Sequence, residues 1–249
     1  MFSFLLGILR FILFVIYVSF FSVLYYLISL FFSKEKNSRN AILLRDFLIR
    51  TANLLLGIRI IVYGEKPTVQ GLIVANHRSY FDPIAIINKV HAFPVGKKEV
   101  ESWPLIGYLC KISGVLFVKR SCQQSRQETA ESILEILSKG YSVINFPEGT
   151  THTLSTTTEF KQGSFVMATK IKAAVIPVAI DYKEKTDAFV GDDTFVPHFL
   201  KCFGKRTTEI KMTFFSPLYS DDSEFLLDTS KDLIDKELLR YRKDWDNEK

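Results

Sequence analysis

Between residues 11 and 32 the chain carries no formal charge, and nearly every one of these 22 positions is Phe, Leu, Ile, Val or Tyr. As a helix the run would be about 33 Å long, enough for the hydrocarbon core of a bilayer. Ser19, Ser22 and Ser29 can return their hydroxyls to the helix backbone. A soluble core helix is rarely apolar on all sides for this length, so membrane insertion is expected. A cleaved signal peptide fits less well, because the run exceeds a usual signal core and no small-x-small site follows it. Arg10 precedes the run and Lys34, Glu35, Lys36 and Arg39 follow it, so charge bias does not set an orientation.

From residue 41 to 57 the pattern becomes amphipathic. Asp46, Arg50, Asn53 and Gly57 fall on one helical face, with Leu, Ile and Phe around most of the rest. Such a helix can pack on a domain core or lie in the membrane interface, and its position after the apolar run favours the interface.

The period then shortens. Apolar, β-branched runs at 59–63, 72–75, 92–95, 114–118, 142–146, 174–180 and 209–215 read as strands. Helical spacing appears after Asp82-Pro83, where Asp can cap and Pro fits the first turn, and again at 104–112, 124–139, 162–171 and 231–240. Gly140 should end the helix at 124–139. Pro177 argues for an edge, bulge or strand end rather than an ordinary central position. Residues 181–206 show no regular pattern. The alternation predicts an α/β fold with a mostly parallel sheet flanked by helices, residues 58–249, behind a membrane-associated helical anchor, residues 1–57. Functional side chains should gather outside the carboxyl ends of the strands.

Composition sharpens this only a little. The net charge is +5 and 47% of residues are apolar. No zinc-finger spacing or aromatic-interleaved basic tract supports nucleic-acid binding. Three cysteines without a CxxC pair imply free thiols rather than a disulfide framework. No cluster suggests a required metal.

The chemistry concentrates in Asn76-His77-Arg78-Ser79-Tyr80-Phe81-Asp82. An imidazole can accept a hydroxyl proton, and a carboxylate on its other nitrogen can fix tautomer and orientation. A loop turning from strand to helix can bring His77 to Asp82; a continuous strand cannot. The alternative is a surface His with Asp82 acting only as a helix cap. Three later segments join it: Gly114 to Arg120 with Phe117 and Lys119, Phe146-Pro147-Glu148-Gly149-Thr150, and the apolar stretch around Pro177.

In this order the four segments closely resemble the four-motif pattern of the glycerolipid acyltransferase family, which includes the 1-acylglycerol-3-phosphate acyltransferases. The first motif matches His77 and Asp82, the second Gly114, Phe117 and Arg120, the third Phe146 through Thr150, and the fourth Pro177. Phe160-Lys161-Gln162-Gly163 looks like the continuation of the third. The resemblance runs from about residue 59 to 217, and an apolar amino-terminal anchor fits it.

The resemblance implies transfer of a fatty acyl group from acyl-ACP or acyl-CoA, as donor substrate with no cofactor, to the hydroxyl of a lysophospholipid held in the membrane. The expected acceptor is 1-acylglycerol-3-phosphate. His77 would be the base, Asp82 its orienter, and Glu148 an organiser of acceptor hydroxyls or a brace for the Gly149 loop. Arg120, Lys119 and Lys161 would meet the anionic head, Asn76 would brace the loop, and Gly149 and Thr150 would line the site. No Ser or Cys stands out as a nucleophile, and Ser79 is weakly specified. Donor location implies a catalytic domain facing the cytoplasm from the inner membrane. One departure bears on the acceptor: Thr151 and then His152 stand where the family pattern has Arg, and neither offers a guanidinium fork. That leaves open a lysolipid with another head group. A lipid-binding protein without turnover, or a hydrolase using water as acceptor, would be other classes.

Overall fold

The computed structural model describes residues 2–31, 33–103, 106–112, 114–119 and 121–248. Helices α1 (Phe2–Ser29) and α2 (Lys34–Leu56) form a hairpin ahead of the α/β domain. Gly57 ends α2 in the left-handed conformation, φ 67°, and returns its N–H to the carbonyls of Asn53 and Leu54. The sharp reversal starts β1 (Ile58–Tyr63) immediately.

Six more strands follow: β2 (Gly71–Ala75), β3 (Ala92–Lys97), β4 (Leu116–Val118), β5 (Ser142–Asn145), β6 (Ala174–Tyr182) and β7 (Thr208–Phe214). Their order is β1-β7-β6-β2-β5-β3-β4. The run from β6 to β4 is parallel; β1 and β7 are parallel to each other and reversed against β6. Every residue of β2 and β6 is buried, as expected of strands covered on both faces.

The covering helices are α3 (Asp82–Ile87), α4 (Ile106–Ile112), α5 (Gln123–Ser138), α6 (Gly163–Lys170), α7 (Phe195–Phe203) and α8 (Ser223–Asn247). One core lies between the sheet and α3, α7 and α1, through Ile73, Ile144, Ile176, Phe199, Phe203, Phe11 and Phe14. The other lies on the opposite face against α5, α6 and α8, through Leu72, Val74, Ile133, Phe165, Ile234 and Trp245.

Three expectations need correction. Asp82 does not cap α3: it lies inside the first turn, and its carboxylate turns back to the amides of Arg78 and Ser79. The segment 181–206 is not irregular throughout, since it contains α7. The last helix covers 25 residues, well beyond 231–240. Asp222 caps it by accepting from the amides of Glu224 and Phe225. Pro177, by contrast, meets its condition inside a central strand. Stepping from Val178 back to Val175 pairs with an advance from Phe214 to Leu218, one residue more, so the partner chain bulges opposite Pro177. Its carbonyl accepts from Phe215, and its missing N–H faces the bulge rather than a ladder partner.

Candidate active site

The loop leaving β2 is pinned to β6 before it reaches the chemistry. Asn76 Nδ2 donates to the carbonyl of Ile180 at 2.8 Å, and the Ile180 amide donates to Asn76 Oδ1 at 2.9 Å. A side-chain amide thus satisfies the strand-edge groups and fixes where residue 77 begins. His77 then stacks on Phe146, at the exit of β5, with ring centroids 4.2 Å apart. Its Nδ1 lies 2.8 Å from Asp82 Oδ2.

Asp82 is fully buried, so its hydration must be replaced by donors. Oδ2 accepts from His77 Nδ1 and from the amides of Arg78 and Ser79, at 2.8, 2.5 and 2.8 Å. Oδ1 accepts from the Tyr182 hydroxyl at 2.8 Å. An acceptor-only carboxylate here makes His77 carry its proton on Nδ1. Nε2 is then left as the lone-pair nitrogen, with no partner among the described residues, on a side chain that is 14% exposed.

Glu148 comes from the turn after β5 and is also buried. Oε2 accepts the His77 amide at 2.5 Å; Oε1 accepts the Thr158 amide at 2.8 Å and His152 Nε2 at 2.5 Å. Its carboxylate therefore ties three segments together. His152 Nδ1 accepts from Arg78 Nη1 at 2.9 Å and from the Leu154 amide at 3.2 Å, so the ring is the Nε2–H tautomer. Behind it, Arg78 Nε approaches Asp181 Oδ1 at 3.5 Å. Arg242 Nη2 reaches Asp181 Oδ2 at 2.6 Å, an ion pair by distance but off hydrogen-bond angle. Burial pushes the Asp181 carboxyl up, against the pull of Arg242 and Arg78.

The remaining expected positions divide into near and far. Gly149 has φ 72°, and a Cβ there would come within 2.7 Å of Lys161 Nζ, so the missing side chain admits the ammonium against the loop. Lys161 also closes that loop through its amide to the Pro147 carbonyl, at 3.0 Å. Thr150 is exposed beside them. The Thr151 hydroxyl turns away to the carbonyl of Phe189. Pro177 is buried in β6 opposite Val74, below the site. Phe117 lies in the edge strand β4 and Lys119 directly follows it, three strand spacings from β2, or about 14 Å. Gly114 has φ 86° and a Cβ there would meet the Phe93 ring at 2.6 Å. Arg120 lies outside the described residues. Among the described residues no group of three or more His, Cys, Asp or Glu could hold a metal ion.

A surface depression of about 450 Å³, lined by Gln70, Gly71, Gly140, Lys172 and Ala174, lies at the amino ends of β2 and β6. That is the end of the sheet away from His77, and no part of the constellation reaches it.

Tyr182, Arg78, His152 and Thr158 were not foreseen as parts of the site. Tyr182 carried only a partial signal: it is a polar residue at the carboxyl end of an apolar run, where functional groups gather, but its neighbour strand is not announced by the sequence. His152 and Thr158 are placed by the irregular loop after Glu148, whose course no periodicity announces, and Arg78, in the loop after β2, joins the site through His152.

Fold and site define a class: an α/β domain with an imidazole–carboxylate pair, braced by a second buried carboxylate, at the carboxyl ends of neighbouring parallel strands. Comparison with known proteins agrees on the fold. Residues 59–181 match the family model described as Acyltransferase. A lyso-ornithine lipid O-acyltransferase from Pseudomonas aeruginosa is 36% identical over 143 residues, 55% of this chain and 55% of that protein. A 1-acyl-sn-glycerol-3-phosphate acyltransferase from Neisseria gonorrhoeae is 30% identical over 115 residues, 46% of this chain and 45% of that one. The chain thus matches about half the length of these curated relatives. The crystal structure of the 1-acyl-sn-glycerophosphate acyltransferase PlsC from Thermotoga maritima superposes with a TM-score of 0.74, covering 96% of this chain and 95% of that one, at 19% identity. That likeness establishes a shared fold.

Proposed function

We propose that this chain is a membrane-bound O-acyltransferase that moves a fatty acyl group from acyl-ACP or acyl-CoA onto the free hydroxyl of a lysolipid. One observation carries the reading: His77 is held through Nδ1 by a buried carboxylate while Nε2 is left open to the cleft. In the reaction Nε2 takes the hydroxyl proton as the oxygen attacks the thioester carbonyl. Collapse of the tetrahedral intermediate breaks the C–S bond, and the imidazolium returns its proton to the departing thiolate. Asp82 holds the ring and stabilises its charged form without taking the proton. Glu148 has its oxygens engaged by protein donors, so its part is to hold the backbone of His77 in line.

The acceptor in this reading is 1-acylglycerol-3-phosphate, with Lys161 as a cation at the head-group end. A second reading, a lysolipid with an amino-acid or other head group, is favoured by Thr151. Its hydroxyl is bonded to Phe189 O, and no guanidinium stands at that point of the loop to grip a phosphate. The named activities of the relatives include both acceptor types.

The test is a product-resolved assay on the full chain in lipid vesicles, crossing acyl-ACP and acyl-CoA with lysophosphatidic acid and lyso-ornithine lipid. His77→Ala should lower turnover by at least about a thousandfold with the productive pair. Full transfer by that variant would remove His77 as the base. Free fatty acid without acylated lipid would make the chain a hydrolase, and binding without thioester consumption would make it a lipid-binding protein.

A further inference from the structure

Asp82 has two oxygens, and the reaction just described accounts for only one of them. Oδ2 carries the imidazole and two loop amides; Oδ1 carries a single donor, the phenol of Tyr182. Tyr182 is 1% exposed and ends β6, the strand to which Asn76 also clamps the His77 loop. One strand therefore fixes both the start of the loop and the carboxylate at its end. We propose that Tyr182 is a positioning residue of the acyl-transfer reaction: its hydroxyl locks the carboxylate plane of Asp82 and sets how much negative charge that carboxylate offers the imidazole. This rests on the reading of His77 as the base.

A carboxylate held on one oxygen can swing about its Cβ–Cγ bond; held on both, it cannot. Locking Oδ1 thus fixes the angle at which Oδ2 meets Nδ1 and, through the ring, the direction of Nε2. The phenol also shares the carboxylate charge. A neutral donor on Oδ1 draws density from Oδ2, so Asp82 stabilises the imidazolium less than a bare carboxylate would. The groups facing Tyr182 are few. From the loop and α3 come Asp82 and the Ser79 hydroxyl; from α7 comes the Cys202 thiol. Burial, and then the Asp82 charge, push the phenol up, and burial pushes the Cys202 thiol up, so both stay protonated across the working range. Around His77, Glu148 meets the backbone amide rather than the ring, with His152 and Arg78 behind it.

Two substitutions in the full chain, assayed in vesicles, separate tuning from mere packing. Tyr182→Phe keeps the ring and removes the hydroxyl. It should lower kcat on the order of tenfold with KM for donor and acceptor unchanged, and move the acid limb of the kcat/KM profile to higher pH. Replacement of Tyr182 by 3-fluorotyrosine strengthens the donor and should move that limb to lower pH. A purely structural tyrosine would not give shifts of opposite sign. Carbethoxylation of His77 against pH, followed by peptide mass spectrometry, reads the same coupling without turnover. Limbs and modification curves that coincide with wild type in both variants would overturn the proposal. If His77→Ala keeps full acyl transfer while the modification curves still shift oppositely, the base assignment fails and the coupling through Asp82 stands.

Discussion

A carboxylate taken fully out of water costs several kcal/mol unless donors replace its hydration, and the arrangement of those donors decides what a substitution at Asp82 does. Two backbone amides point at Oδ2, and amides cannot reverse. In Asp82→Asn they select the carbonyl oxygen for that side and send the NH2 toward Tyr182, whose hydroxyl can rotate and accept. The His77 tautomer should therefore survive while the charge that stabilises its protonated form is lost. We expect a kcat decrease of about a hundredfold for Asp82→Asn, with Asp82→Ala lower by a further order of magnitude. Steady-state kinetics with the two variants side by side check this; equal losses would mean that the amide had inverted. At this scale the sequence was readable where the partners are local. Five positions separate His77 from Asp82, and a strand-to-helix turn closes that gap. Tyr182 is a hundred residues from Asp82 and joins it only because β6 lies beside β2, a neighbour relation that no local pattern carries.

Helix α7 shows the same limit at the level of elements. Phe195, Phe199 and Phe203 recur at four-residue intervals, yet the stretch is nine residues long and holds Pro197. Pro is tolerated there because it falls in the first turn. What makes the helix worth forming is α1, which no reading of 181–206 supplies: Phe11 and Phe14 pack on Phe199, and Arg10 donates to the carbonyls of Phe203, Lys205 and Arg206 at the helix end. The strands, mostly apolar runs with an alternating one at β7, were legible to within about two residues at each end. On α7, His198 is held between Tyr80 and the Ala188 carbonyl, with Nε2–H donating to that oxygen at 3.1 Å. Burial pulls its pKa below the 6.5 of a free histidine. A folded value below the unfolded one means that the unfolded chain binds the proton more readily. The stability His198 contributes is then complete above about pH 6.5 and is lost as pH falls through the lower folded value. Asp187 works in the opposite direction, since burial raises its carboxyl despite Lys205. The difference between wild type and His198→Gln, which share Asp187, isolates the histidine. Thermal unfolding in detergent from pH 7.5 to 5 should show wild type losing ground relative to the variant; parallel curves would remove His198 as a source of acid sensitivity.

For the molecule as a whole, the open question is how α1 meets the bilayer. It has the length and apolarity to cross one. Its contacts argue otherwise. The first four turns lie against α7: a Cβ at Gly7 would sit 2.7 Å from the Leu200 carbonyl, and one at Gly204 would sit 2.4 Å from that of Ser3. The rest lies against α2 through Tyr17 with Thr51 and Phe21 with Phe47. Helix α2 is itself fixed to the domain, with Asp46 3.1 Å from His91 and Arg45 over the Phe93 ring. A helix fastened along its length to a polar domain cannot stand across about 30 Å of hydrocarbon without drawing α7 and the Arg10 carbonyl cluster in with it. Its outward side remains apolar from end to end, with Phe2, Ile16, Phe20 and Phe31 all more than half exposed, and Leu43 and Leu54 continue that surface onto α2. The arrangement suits a hairpin lying in one leaflet, which under the proposed function would hold a lysolipid hydroxyl near His77 while the thioester arrives from water. Cysteines introduced one at a time as Ser3→Cys and Ser33→Cys, in sealed vesicles with Cys110, Cys122 and Cys202 replaced, should react with an impermeant maleimide from the same side. Labelling from opposite sides would mean that α1 leaves α7 and spans the membrane, and the packing of Arg10 and Gly7 would then belong to a state without lipid.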